Sequence, residues 1–229
     1  GRIYAGKLLT GADDPVQYSC QQNFTLLTTD GNWNTDEETS SYGPYQVDGA
    51  TNVGNQDGTA EKPMKDGLNK SNTLADVSMY YYQTDLRNPT LGNCTGALGA
   101  GIDVCEDNVR GPSTDSNTQQ HMTTFTLGLG VNGTLVYSED YLSSGSADYN
   151  DIVQGTKNWP DPISTSGAAR IDDLWHTAVN GRGIYFSAQN PDSLVSGISK
   201  ALAGITARTG SATSAATSNL EPVTGDNYV

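Results

Sequence analysis

The stretch "NFTLLTTDGNWN", Asn23 to Asn34, carries a short apolar run that stops at Thr29-Asp30-Gly31. Phe24 to Thr28 is too short for a helix and continuous rather than alternating. That pattern predicts a strand buried on both faces, and with it a parallel sheet. Open sheets of this kind gather ligands beyond the carboxyl ends of their strands. Asp30 stands at such an end, which makes it a candidate oxygen ligand for a divalent cation, magnesium or calcium. The alternative is a turn aspartate that hydrogen-bonds its own backbone ahead of Gly31.

Beyond this strand the chain is polar and aperiodic from about residue 32 to 70 ("DGATNVGNQDG", Asp48 to Gly58), which reads as a long insertion. Asp36, Glu37 and Glu38 lie within it without an Asp-x-Asp-x-Asp-Gly spacing, so they read as a solvated acidic loop. "SNTLADVSMYYYQTDLRNP" follows. Ser71, Asn72 and Thr73 offer N-caps, Asp76 suits the positive start of a helix, Leu74, Val77 and Tyr81 share one face, and Pro89 ends it. A second insertion spans about residues 90 to 119. Met122 to Leu127 then reads as a strand ended by Gly128 and Gly130, with Asn132-Gly133 as a hairpin turn into Thr134 to Tyr137.

The last block runs "RIDDLWHTAVNGRGIYFSAQNPDSLVSGISKALAGI". Asp172 or Asp173 is placed to cap a helix carrying Leu174, Ala178 and Val179, Gly181 sits where a C-cap wants positive φ, and Ile184 to Phe186 forms a strand. Asn190 caps a final helix with Pro191 in its first turn and Leu194, Ile198, Leu202 and Ile205 as its apolar stripe. Strands alternating with helices predict an α/β sheet with helices on its faces. Few strands precede Phe24, so residues 1–208 read as the second half of a domain, followed over 209–229 by a Ser/Thr/Ala-rich tether.

A net charge of −14 argues against nucleic acid or an anionic membrane as partner. No apolar run approaches the roughly 20 residues that cross a bilayer, so no membrane insertion by this chain is expected. The start lacks a signal-peptide pattern, and an export signal is expected outside the chain. Cys94 and Cys105 bracket the glycine-rich "CTGALGAGIDVC" and are expected to form a disulfide, leaving Cys20 as a buried thiol or paired outside the chain.

Four blocks, "FTLLTTDG", "TLADVSMYYYQTDLR", "QHMTTFTLGLGVNGTL" and "DDLWHTAVNGRGIYFSAQNPDSLVSGISKALAGITARTGSA", together resemble the PilY/PilC-type tip-associated adhesins of bacterial type IV pili. More distantly they resemble the later part of a von Willebrand factor A domain. The resemblance implies a partial, Rossmann-like domain of that type with two long irregular insertions. It implies a cation site to which the chain contributes Asp30 of Thr-Asp-Gly, while the Asp-x-Ser-x-Ser half of the site does not occur in this sequence. It further implies an extracellular protein at the cell surface or pilus tip of a Gram-negative bacterium, contacting type IV minor pilins and a surface ligand.

Catalysis finds little footing. His121 and His176 stand in no nucleophile motif, Cys20 has no recognisable base, and no Gly-x-Ser-x-Gly occurs, so both histidines read as structural. Trp175 and Tyr80 to Tyr82 fit either a sugar platform or core. The sequence therefore points to a non-enzymatic adhesion and pilus-biogenesis module, with a self-associating structural subunit, paired through exposed strand edges, as the alternative.

Overall fold

The computed structural model describes residues 1–8, 11, 13–33, 43–99, 101–143, 146–165 and 167–218. Three strands, β1 (Asn23–Thr29), β2 (Met122–Leu129) and β3 (Arg182–Ala188), form one parallel sheet in that spatial order. Helices α1 (Leu74–Gln83) and α3 (Gly167–Asn180) cover one face, and α4 (Pro191–Ser218) covers the other; α2 (Ala147–Val153) lies in the loop before α3. The parallel α/β architecture expected from the alternation of elements is present.

The strand buried on both faces is β2, not β1. Every residue from Met122 to Gly128 is buried, whereas Leu26, Thr28 and Asp30 are exposed. An apolar run shows that a strand has one face to hide, and its place in the sheet decides the other. Along β2, Phe125 and Leu127 meet Phe186 and Ala201 beneath α4, while Thr126 turns to α3 and gives its hydroxyl to Leu174 O at 2.7 Å.

Thr73 caps α1 in a reciprocal box: its hydroxyl accepts the Asp76 N–H at 3.1 Å, and the Asp76 carboxylate accepts the Thr73 N–H at 3.0 Å. The expected face of α1 is only part of what is covered. Ala75, Ser78, Met79 and Tyr82 are buried too, and Ser78 donates to Thr177 O of α3 at 2.8 Å. The helix ends at Gln83, ahead of Pro89, which instead opens a short 3₁₀ turn (Pro89–Leu91).

α3 begins at Gly167, so Asp172 and Asp173 sit inside it and are not its caps. At its far end Gly181 lacks positive φ; Arg182 takes φ 58° instead. The Arg182 guanidinium donates to Val179 O and Asn180 O, each at 3.2 Å, capping the last carbonyls. The glycines there serve close approach: a Cβ on Gly183 would lie 2.0 Å from Thr124 O. Asn190 caps α4 as expected, accepting the Ser193 N–H at 2.9 Å. α4 runs on to Ser218, through positions read from the sequence as tether.

The insertions are irregular but anchored. In the first, Tyr45 and Asn52 form an isolated bridge; Asp36, Glu37 and Glu38 lie outside the described residues. In the second, the Cys94–Cys105 disulfide closes a loop whose Val104 is fully buried and whose Ala97 N–H donates to Val16 O at 2.8 Å. Cys20 is exposed rather than buried. Replacing Cys94 and Cys105 together by serine is expected to lower the unfolding free energy by about 3 kcal/mol through release of unfolded-chain entropy. Urea denaturation of the double variant should show an earlier midpoint with unchanged secondary structure by circular dichroism; an unshifted midpoint contradicts it.

Candidate functional site

At the carboxyl end of β1 the turn is held by Thr29, not by Asp30. The Gly31 N–H donates to Thr29 Oγ1 at 3.2 Å, and that hydroxyl donates to Gly31 O at 3.0 Å. Among the described residues no group donates to the Asp30 carboxylate, which is exposed. The turn-aspartate alternative is therefore not the one adopted. Nor does Asp30 belong to any group of three or more His, Cys, Asp or Glu ligating atoms among the described residues. A hard divalent cation takes about six or more oxygens, so Asp30 offers one contribution and not a site.

The described residues hold one cluster with metal-ligand spacing, Cys94, Asp103 and Cys105. Its two sulfurs are joined in the disulfide and are not thiolates, so it does not fit a metal.

A polar cleft of about 600 Å³ opens at the other side of the same sheet end, lined by Asn132, Thr134, Tyr137, Tyr185, Gln189 and Asn190. Its amides are matched internally. Gln189 Nε2 donates to Val131 O and Asn132 Oδ1, both at 3.1 Å, and Asn190 is spent on its cap. The cleft borders β3 and Asp30 follows β1, so β2 separates the two.

The strongest concentration of polar chemistry is buried instead, where α3 meets the loops. Asp172 accepts the Thr134 N–H (2.8 Å), the Thr134 hydroxyl (2.6 Å) and the Leu135 N–H (3.1 Å). A Cβ on Gly133 would stand 1.8 Å from Asp172 Oδ1. Asn132-Gly133 is thus no hairpin: the glycine lets the backbone reach the carboxylate, and Thr134 to Tyr137 do not form a strand. Asp173 accepts the Leu74 N–H at 3.0 Å, and His176 Nε2 lies 2.5 Å from Met64 O and 3.3 Å from Asp57. Trp159 stacks on His176 with centroids 4.6 Å apart and donates to Pro63 O at 2.7 Å.

Burial dominates the titration of this cluster. It pushes Asp173 up to about 8 and, with the charges of Asp66 and Asp76 adding to it, Asp57 up to about 7. The same desolvation drives His176 down to about 4, so its ring is neutral. Asp57 Oδ1 and Asn180 Oδ1 are both buried without a hydrogen-bond partner among the described residues.

His121 is likewise occupied. One ring nitrogen lies 2.7 Å from Gln119 O and the other 3.3 Å from Asp115, which also meets Arg208 (3.1 Å) and Tyr82 OH (3.1 Å). Burial alone would raise Asp115, but hydrogen bonding and charge from His121, with Tyr82 and Arg208, hold it below its ordinary value. The network ties α4 to the amino end of the sheet. Trp175, Tyr81 and Tyr82 are buried in core, and no sugar platform is formed from them.

With this geometry in place, comparison with known proteins finds relatives for the region. The chain is 36% identical over 198 residues to the type IV pilus biogenesis factor PilY1 of Pseudomonas aeruginosa PAO1, and 34% identical over 225 residues to that of strain UCBPP-PA14. These alignments cover 81% and 95% of this chain. The chain carries a PilY1-type region. It spans 16% and 19% of the length of those two relatives. No family model and no solved structure matches it. Within the PilY1-type region no helix among the described residues is long and apolar enough to cross a membrane.

The raised acids of this region carry a sign. A carboxyl whose folded pKa is raised contributes stability that is complete below about pH 4 and is lost as pH rises through the folded value, here through about 7 for Asp57 and about 8 for Asp173. Each removes up to about 1.4 kcal/mol per pH unit across that window. His176 acts oppositely, its contribution falling away as pH drops from about 6.5 through 4. Melting temperature is therefore expected to fall between about pH 6.5 and 8, where His176 no longer offsets the two acids, and to fall less steeply in Asp173→Asn. Parallel curves for the two proteins contradict the assignment.

Proposed function

We propose that this region is a non-catalytic, von Willebrand A-like module of an extracellular protein at the type IV pilus tip, serving pilus biogenesis and adhesion. The observation that carries the proposal is the 34–36% identity to PilY1 over most of the chain. The parallel sheet with Thr-Asp-Gly at the end of β1 is compatible with the domain type. Minor pilins and a host or abiotic surface are the proposed contacts, and Asp30 the proposed contribution of this region to a magnesium or calcium site completed by ligands from elsewhere. Both histidines are buried with their reachable ring nitrogens engaged, which supports contact rather than acid-base chemistry as the source of function.

Deleting residues 1–229 from the natural polypeptide in its host is expected to reduce surface pili and attachment, and restoring them in trans to recover both. Unchanged piliation and attachment overturn the proposal. In the same assay Asp30→Ala should lower attachment to the level of wild type treated with a chelator; wild-type, chelator-sensitive attachment removes Asp30 from the cation site.

A further inference from the structure

The amino end of the sheet, opposite to Asp30, holds a cavity of about 380 Å³ beside the first residues of β3. Met64, Tyr141, Leu142, Val179 and Ile184 give it apolar walls, and Leu142 among them is 61% exposed. Its charged lining is Arg182 and Arg208, with no Asp or Glu among the described residues. In a chain of 26 acids and 12 bases that bias needs a cause.

The two arginines are not equivalent. Arg208 is 9% exposed and meets the Asp115 carboxylate at 3.1 Å, so its charge is matched. Among the described residues no carboxylate pairs with Arg182. Its Nη1 is spent on Val179 O and Asn180 O, and the guanidinium lies 4.6 Å from the centre of the Tyr82 ring. Nε and Nη2, the pair that a carboxylate bridges, are left without one. The carbonyl end of α3 sets roughly half a negative charge against the guanidinium, so part of a positive charge faces apolar walls unmatched.

Tyr149 supplies a second polar group. Its ring stacks on Trp175 with centroids 5.6 Å apart and meets Tyr141 edge-on at 4.9 Å. The residue is 7% exposed and lines the cavity, yet among the described residues its hydroxyl has no hydrogen-bond partner. Buried tyrosines usually find one. The hydroxyls of Tyr137 and Tyr141, by contrast, are engaged with the backbone of Tyr185. Burial pushes the Tyr149 hydroxyl up to about 12 while the Arg182 charge draws it down, so the two groups are close enough to act on one ligand.

We propose that this cavity binds a small apolar monocarboxylate, its carboxylate held by Arg182 and the Tyr149 hydroxyl and its aliphatic or aromatic body packed against Met64, Leu142, Val179 and Ile184. One unmatched guanidinium calls for one negative charge, and its planar fork fits a carboxylate. Inorganic phosphate brings more charge and no apolar body, and would leave both the excess charge and the walls unmatched. The volume lies at the small end of ligand pockets, roughly 300–1,000 Å³, which suits a free acid. The inference rests on the cavity and stands whether or not the pilus assignment holds.

Titration calorimetry on the full natural polypeptide that carries residues 1–229 tests it, with octanoate as the probe. Octanoate should bind saturably, and octan-1-ol and inorganic phosphate at least about ten-fold more weakly, as loss of a charge-assisted hydrogen bond predicts. Tyr149→Phe removes a hydroxyl that no described residue uses. It should keep the wild-type melting temperature and weaken octanoate binding about five-fold, which keeps the test open if changing Arg182 disturbs the end of α3. Arg182→Gln should weaken binding at least about ten-fold. No octanoate binding, equal binding of octan-1-ol or phosphate, or an octanoate affinity unchanged in either variant overturns the proposal.

Discussion

The architecture depends on the burial of hydrogen-bonding side chains along α3. One side of this helix supplies Leu174, Trp175 and Ala178 to the aromatic core with Tyr141, Tyr149 and Trp159. The same helix sends Asp172 to the Thr134 and Leu135 amides, Asp173 to the start of α1, His176 to Met64 O and Asp57, and Asn180 to Ala75 O. Long polar loops have little apolar surface of their own with which to adhere to a sheet. Satisfying their backbone groups with buried side chains does that work, because an unmatched group in the same place would cost about 1–3 kcal/mol. The arrangement has an electrostatic consequence: burial raises Asp57 to about 7 and Asp173 to about 8, and lowers the histidine among them to about 4.

Such anchors escape a reading by periodicity. β2, β3, an N-cap for α1 among Ser71, Asn72 and Thr73, the Asn190 cap and the Cys94–Cys105 pairing follow from local pattern, because each depends on residues a few positions apart; that Thr73 is the cap, in a reciprocal box with Asp76, is seen only in the structure. Asp172 and Asp173 look from the sequence like caps, since acids near a helix start usually are; their partners lie 38 and 99 residues away. Gly133 shows the same limit. A glycine after asparagine suggests a turn, and only the carboxylate facing it explains why no side chain is allowed. α2 (Ala147–Val153) fell in a stretch with no strong signal and rests on the Ser146 cap and on Tyr149 and Ile152 in the core.

The candidate site divides along similar lines. The position of Asp30 at a strand's carboxyl end was legible; that its turn is held by Thr29, and that Asp30 joins no group of three or more ligating residues among the described residues, was not. The stripe on α4 was legible as a stripe, but its direction was not, because glycines and an alanine take the sheet-facing side. Leu194 and Ile205 of that stripe reach the core, while Ile198 and Leu202 stay exposed among the described residues.

The central claim is that each α3 side chain holds a particular loop. Residue-level amide exchange on Asp172→Ala and His176→Ala tests it directly. Asp172→Ala should accelerate exchange at Thr134 and Leu135 while leaving Met64 to Asp66 unchanged, and His176→Ala should do the reverse. A uniform acceleration across the chain in either variant, or none at the loop it faces, would contradict the account.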